Sequence, residues 1–129
     1  MDNREIDKLI AEKVMELELH FLEPLGGFHT KEVEPDGYWR WVELPHYSTD
    51  IAAAWQVVEK MRSSGWRFEA FDTIRDSWLV RFGKGEFNHY ENEWSKEHIS
   101  DENSCTLAIC LAALKAVGVE VSECPRMSG

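Results

Sequence analysis

Arginine alternates with large aromatic residues at three places in this sequence. Two of the places are the triplets Trp39-Arg40-Trp41 and Trp66-Arg67-Phe68, and the third runs from Trp78 to Arg81-Phe82. Because successive side chains of a β-strand point to opposite faces, each arginine is predicted on the face opposite its aromatic neighbours. The candidate ligand-binding residues are Trp39, Arg40, Trp41, Arg67, Trp78, Arg81 and Phe82.

Two interpretations of this pattern stay open. In the first, a sheet has one aromatic face in the core and one solvated face that carries arginine and glutamate. In the second, a pocket lets an aromatic ring stack on a base while guanidinium groups hold phosphates. Such a pocket would be a small exception within an acidic surface. It suits a mononucleotide or dinucleotide rather than a polymer.

Other kinds of chemistry find little support in the residue pattern. The five histidines and three cysteines form no CxxC, HExxH or comparable local pair, so no metal site and no cofactor are predicted. Cys105 and Cys110 would point about 140° apart on a helix and could not chelate an ion together. Cys105 at a helix start is a conceivable nucleophile, but a packed and inert cysteine is favoured. No catalytic residue is predicted.

Composition sets limits on the fold and on the partners. A chain of 129 residues with 43% hydrophobic and 12% aromatic content suits one folded domain. The formal net charge of -10 opposes binding to a nucleic-acid polymer, since that association needs a positive field. Local basic pockets remain compatible with this charge. Acidity also allows a second interpretation, a surface that mimics nucleic acid.

The sequence favours a cytoplasmic location. An odd number of cysteines indicates free thiols in a reducing compartment. The first residues are charged and run into an amphipathic pattern rather than an apolar targeting segment. No apolar run reaches the roughly 18 to 20 residues that cross a bilayer, so no membrane partner is predicted.

Hydrophobic spacing predicts three helices and about four strands. The predicted helices start at Asp2 or Asn3 and fade before Pro24, run from Ile51 to a stop at Ser64-Gly65, and run from Cys105 to Val117. The predicted strands include Tyr38 to Val42, Trp66 to Ala70 and Trp78 to Phe82. The pattern from Phe28 to Val33 is ambiguous by itself, but this segment could pair with Tyr38 to Val42. Glu34 to Gly37 reads as the turn of an early hairpin, and Gly83 to Gly85 as a later turn.

The last helix is apolar on nearly every side, with only Lys115 requiring water. Such a helix is buried, covered by a second layer or by a partner subunit, and a homo-oligomer is therefore predicted. The preceding stretch from Glu91 to Asn103 is polar and shows no clear period, which is typical of either a lid or a disordered loop.

The order of the elements predicts an α+β domain. Its antiparallel sheet of about four strands would lie sandwiched between helices, in α-β-α layers. The single domain is predicted to span residues 1–121, and residues 122–129 are predicted to form a flexible C-terminal tail.

Several segments together resemble a known family. They are Ile6 to Met15, His46 to Ile51, Ala53 to Lys60 and Ala108 to Gly118. In combination they are similar to the phage ABA-sandwich family of small proteins from phages and prophages of Gram-positive bacteria. The similarity is weak from Gly83 to Ser104. The family's name implies a sheet held between helical layers, and the family offers no catalytic motif.

The resemblance implies a non-enzymatic, phage-encoded accessory binding protein. The leading hypothesis is a counter-defence protein that sequesters a nucleotide-derived immune signalling molecule, as an oligomer whose subunit interfaces form the pockets. One alternative is an acidic inhibitor that binds a host nuclease or nucleic-acid-binding protein. A small hydrolase acting on a nucleotide ranks below both.

Overall fold

The computed structural model describes residues 2–120. The predicted tail, residues 122–129, and Cys124 lie outside the described residues. The helices are α1 (Asn3–Leu9), continued by a π-helical turn (Ile10–Val14), α2 (Ile51–Ser63) and α3 (Cys105–Ala116), with a short 3-10 turn at Glu23–Leu25. The strands are β1 (Leu19–Leu22), β2 (Gly27–Val33), β3 (Trp39–Glu43), β4 (Arg67–Asp72), β5 (Trp78–Asn88) and β6 (Glu93–Glu102).

The strands form two antiparallel sheets of three, with the orders β1-β2-β3 and β4-β5-β6. The α+β class and the antiparallel pairing are confirmed. The predicted count of about four strands is wrong, because β1 and β6 carry too little apolar alternation to be recognised as strands. Both are stabilised by the hydrogen-bond ladder of the neighbouring strand instead.

Strand β1 occupies a stretch that was predicted to be helical. The first helix ends near Met15, and Glu16 then takes a left-handed conformation with φ 57°. The chain continues extended and pairs with β2 from Leu19 opposite Thr30 to Leu22 opposite Gly27. Helical spacing could not show this change, because Leu17 still fits the apolar stripe of the helix.

Strand β6 replaces the predicted lid or disordered loop. It pairs with β5 from Trp78 opposite Glu102 to Asn88 opposite Glu93. The predicted turn at residues 83–85 is also wrong, since β5 runs through it with a register shift between Lys84 and Phe87. Gly85, with φ 92°, supplies the left-handed residue at this irregularity.

Helix α3 lies at the centre of the core, as predicted. Its residues from Ala108 to Leu114 are buried against α1, α2 and the strands β5 and β6. Burial raises the pKa of the Cys110 thiol, and the nearby Asp7 carboxylate adds to the shift. The cover comes from other layers of the same chain, so the apolar character of α3 does not require a partner subunit.

Each sheet turns one face to this core. The core-facing side chains include Phe68, Val80 and Phe82 from β4 and β5, and Leu19 and Phe28 from β1 and β2. In residues 2–120 no helix has the length and apolar character needed to cross a bilayer.

A buried carboxylate ties the helices together. Asp7 is 0% exposed, which is unusual for a charged side chain. Its Oδ2 accepts a hydrogen bond from the Arg4 guanidinium (2.8 Å), and its Oδ1 accepts one from the backbone N–H of Ser48 (2.8 Å). The Ser48 carbonyl in turn accepts from the Thr106 hydroxyl at 2.6 Å. This chain of bonds joins α1, the segment before α2 and the start of α3.

Candidate functional site

A cavity of about 420 Å³ lies where α2 ends and β4 begins. Its lining residues are Arg62, Ser63, Gly65, Trp66 and Arg67. We call this site, together with Lys84 and Lys96 beside Trp66, the basic pocket. Gly65 has φ 95°, a conformation that favours glycine and that turns the chain from the helix into the strand.

Two lysines from neighbouring strands converge on the indole of Trp66. Lys84 and Lys96 are direct partners in the β5–β6 ladder, and their Nζ atoms lie 5.1 Å and 5.8 Å from the Trp66 ring centroid. Lys84 Nζ also donates to the Ser64 carbonyl at 3.0 Å. Like charges directly opposite each other on paired strands destabilise a sheet by about 0.2–1 kcal/mol. The Trp66 ring and the Ser64 carbonyl compensate for part of this cost, and a bound anion would compensate further.

The four cations of the basic pocket have no carboxylate partner in residues 2–120. None of Arg62, Arg67, Lys84 and Lys96 takes part in the ion pairs of this part of the chain. The C-terminal end of α2 offers only about half a negative charge, which Lys84 can neutralise alone. In a chain with 24 acidic and 14 basic residues, this local excess of positive charge makes the pocket a candidate anion site.

His98 completes the surroundings of Trp66 without adding charge. The two rings meet edge to face, with centroids 5.6 Å apart. Burial lowers the pKa of His98, and the nearby Lys96 and Lys115 lower it further. The imidazole is therefore neutral at pH 7.

Three of the predicted ligand-binding residues lie on β3, in the other sheet. Arg40 pairs with Glu32 at 3.3 Å on one face. Trp39 and Trp41 lie on the opposite face, with ring centroids 5.3 Å apart, and Lys31 Nζ lies 4.4 Å from the Trp39 centroid. The predicted separation of arginine from tryptophan is confirmed here. Trp39 is 49% exposed, so this face offers an accessible ring.

The remaining predicted residues lie on β4 and β5 in different surroundings. Arg67 lines the basic pocket, and Trp78 is 36% exposed at the start of β5. Phe82 is 0% exposed in the core, so its ring is not accessible to a ligand. The seven residues are thus divided between two sheets and do not form one pocket. Ligand binding by the accessible ones stays a prediction.

Arg81 is buried, and its guanidinium is held by contacts within the protein. It is 5% exposed, forms an ion pair with Glu69 at 2.6 Å and donates to the Asn92 carbonyl at 2.6 Å. The Trp94 indole N–H donates to the other Glu69 oxygen at 2.8 Å. The indole lies directly on Gly83, where a Cβ atom would clash with the ring. These contacts fold the tip of the β5–β6 hairpin over the outer face of its sheet.

A second cleft of about 520 Å³ separates α1 from the sheet of β1–β3. Lys8 Nζ lies 4.3 Å from the Phe28 ring centroid inside it. Arg4 is held by Asp7 and by backbone carbonyls, while Glu5 and Glu43 contribute negative charge. The cleft is therefore of mixed charge and lacks the excess of positive charge found in the basic pocket. Within residues 2–120 no three His, Cys, Asp or Glu side chains are placed to hold a metal ion.

Sequence reasoning identified Arg67 but missed Arg62, Lys84 and Lys96. The predicted end of α2 at Ser64-Gly65 placed Arg62 near a helix terminus, and that was the one available signal. The two lysines are 12 residues apart in the sequence, and only the pairing of β5 with β6 brings them together.

Comparisons with known proteins agree with the fold. The sequence pattern of the Phage ABA sandwich domain matches residues 8–114. A crystal structure of a phage protein from Bacillus cereus ATCC 14579 is similar with 25% sequence identity and a TM-score of 0.65, covering 94% of this chain and 92% of that one. No curated protein matches the chain. The resemblance inferred from the helical segments is confirmed: the chain belongs to the phage ABA sandwich domain family.

Proposed function

We propose that this phage protein is a non-enzymatic binding protein that sequesters a nucleotide-derived immune signalling molecule, and so acts in counter-defence. The observation that supports this proposal best is the basic pocket. Arg62 and Arg67 line its cavity, and Lys84 and Lys96 lie beside the Trp66 ring. None of these four cations forms an ion pair with a carboxylate within residues 2–120. Phosphate groups are the acidic part of every nucleotide. Arginine and lysine are the side chains that bind them.

The charge distribution favours a small ligand over a polymer. A nucleic-acid strand would have to lie along a surface whose total charge is -10. Repulsion over that length would oppose binding. A mononucleotide or dinucleotide contacts only the basic pocket and gains its local attraction.

Binding without turnover fits the lining of the pocket. Its charged groups are guanidinium and ammonium donors, and its nearby imidazole, His98, has a lowered pKa because of burial and the lysines. Hydrolysis of a phosphate ester needs in addition a base or a metal that activates water. No carboxylate lies among the residues of the basic pocket, and the neutral His98 packs against Trp66 rather than lining the cavity.

Calorimetric titration with cyclic dinucleotides, ADP-ribose derivatives and nucleoside triphosphates tests the proposal. We expect stoichiometric binding, with release of chemically unchanged ligand when the protein is heat-denatured. The double variant Arg62→Gln/Arg67→Gln should lose binding. Arg75→Gln, which removes an exposed arginine from the turn after β4, is the matched control and should bind normally. Product formation by substoichiometric protein would show an enzyme, and no binding across the panel would refute sequestration.

One observation favours the alternative, an acidic inhibitor of a host nuclease or nucleic-acid-binding protein. The tip of the β5–β6 hairpin carries Glu86, Glu91 and Glu93, all exposed, and no lysine or arginine lies between Lys84 and Lys96. Attraction to a basic protein would depend steeply on salt. A variant with glutamine at all three positions should lose a host partner in pull-downs if this alternative is right, and should keep its ligand if sequestration is right.

A homo-oligomer remains part of the proposal. The apolar side chains Phe21, Val33 and Trp39 are exposed on the β1–β3 sheet and would be covered in an assembly. Sedimentation at several concentrations measures this directly. A monomer throughout would confine the pocket to one chain.

A further inference from the structure

We infer that the basic pocket recognises the phosphate groups of its ligand and is indifferent to the base. This inference rests on the proposed function, because it specifies how a nucleotide would be held in that same pocket. Three features of the pocket support it: the availability of the aromatic ring, the kind of polar groups and the amount of charge.

The ring at the pocket is not available for stacking. Trp66 is 7% exposed. Lys84 and Lys96 lie within 5.8 Å of its centroid, and His98 packs against it edge to face. Recognition of a base by stacking requires an accessible ring face. The pocket therefore has no platform of its own for a base.

The charged side chains of the pocket are hydrogen-bond donors only, and among its side chains Ser63 alone keeps an oxygen that can accept. Arginine and lysine only donate, and the hydroxyl of Ser63 already donates to the Lys60 carbonyl at 2.6 Å. The Ser64 carbonyl is used by Lys84. Base edges present donors as well as acceptors, whereas phosphate oxygens only accept. The charged groups at the pocket thus complement a phosphate better than the edge of a base, which also needs acceptors.

The amount of charge points the same way. The four cations of the basic pocket have no carboxylate partner within residues 2–120, and two of them lie directly opposite each other on β5 and β6. They match an anion of several charges. A phosphate chain brings its oxygens to such a cluster in one compact group. A ligand with more phosphates should therefore bind more tightly, whatever its base.

The test is a calorimetric competition at one fixed salt concentration. The ligands are inorganic tripolyphosphate, the four common nucleoside triphosphates, and one nucleoside monophosphate. We expect the triphosphates to bind within about threefold of one another and tripolyphosphate to displace them, with the monophosphate weaker. If a base were stacked, the nucleotides would instead bind about tenfold or more tighter than tripolyphosphate.

A matched pair of variants locates the site. Lys96→Gln removes one ammonium from beside Trp66, and Lys31→Gln removes one from beside Trp39, where the distance to the ring centroid is 4.4 Å. We expect Lys96→Gln to weaken tripolyphosphate binding by about tenfold and Lys31→Gln to leave it unchanged. Both variants should keep the circular dichroism spectrum of the parent.

The possible outcomes separate the two proposals. Nucleotides that bind with strong base selectivity, and that tripolyphosphate does not displace, would overturn the inference and leave sequestration standing. Tripolyphosphate that binds through Lys96 while no nucleotide binds would support phosphate recognition and overturn the nucleotide function. Equal losses in the Lys96 and Lys31 variants would overturn the assignment to this pocket. An absence of all binding would overturn both proposals.

Discussion

Removal of the Asp7 carboxylate tests the account of how the helices are held together. Asp7→Ala leaves the backbone N–H of Ser48 buried without an acceptor and leaves Arg4 without its carboxylate. An unsatisfied buried donor costs about 1–3 kcal/mol. The Arg4 side chain is 42% exposed and can turn to water, so the lost ion pair adds no more than about 1 kcal/mol. We therefore expect a destabilisation of about 1–4 kcal/mol.

Urea unfolding, followed by tryptophan fluorescence, measures this loss. With a urea dependence of about 2 kcal/mol per molar, the middle of the usual range, the midpoint should fall by about 0.5–2 M. Glu12→Ala removes an exposed carboxylate from the same helical segment and is the control, with an expected change below about 0.5 kcal/mol. Equal midpoints for Asp7→Ala and Glu12→Ala would show that the Asp7 carboxylate does not stabilise the link between α1 and the segment before α2.

Two further predictions concern the folded hairpin tip. Gly83→Ala should push the Trp94 indole off the sheet and cost about 1–3 kcal/mol, while Gly27→Ala, which meets no atom within 4 Å, should cost less; thermal unfolding with fluorescence of the indole compares the two. Burial alone would raise the pKa of Glu69, but the bonds from Arg81 and Trp94 outweigh burial and lower it. The stability from these bonds should be present above the ordinary glutamate pKa of about 4.3 and be lost as the pH falls through the lower pKa of the folded state. An acid titration in which Glu69→Gln loses the same stability would contradict this.

The helices could be predicted because their signals are local. Asp50 accepts from the backbone N–H of Ala52 (3.1 Å) and Ser104 accepts from that of Leu107 (3.3 Å), as expected of residues that begin a helix. The early hairpin followed from Gly37, whose N–H donates to the Glu34 carbonyl and whose φ is 91°. In each case the residues that determine the structure are neighbours in sequence.

Strand β6 could not be predicted because its stabilising partners are distant in sequence. Its residues are mostly polar, and its order comes from the ladder with β5 and from Trp94, which packs on Gly83 and donates to Glu69. The same long-range packing buries Arg81, which the alternation pattern offered either to solvent or to a ligand. Periodicity gave the correct face of the strand but not what covers that face.

The sequence predicts only one residue of the basic pocket, Arg67, for a related reason. The alternation of arginine with aromatic residues includes Arg67, which follows Trp66. It does not include Lys84 or Lys96, because neither lysine is next to an aromatic residue. The two lysines lie opposite each other because of the register of β5 and β6, just beyond the first residue of β4. An unfavourable pair of like charges is visible only once that register is known.

The β5–β6 hairpin separates opposite charges along its length. Lys84 and Lys96 lie where it leaves the three-stranded sheet, and Glu86, Glu91 and Glu93 lie toward its tip. Because the Debye length at physiological salt is about 8 Å, exposed charges beyond that distance are largely screened from each other. Glu91 and Glu93 lie toward the tip and can therefore be changed with little effect on the basic pocket, whereas Glu86 follows Lys84 by only two residues and is closer to it. If neutralising the tip abolished nucleotide binding while the fold was kept, the acidic residues would have to belong to the ligand site, and the division of the hairpin into a phosphate-binding base and a separate acidic end would be wrong.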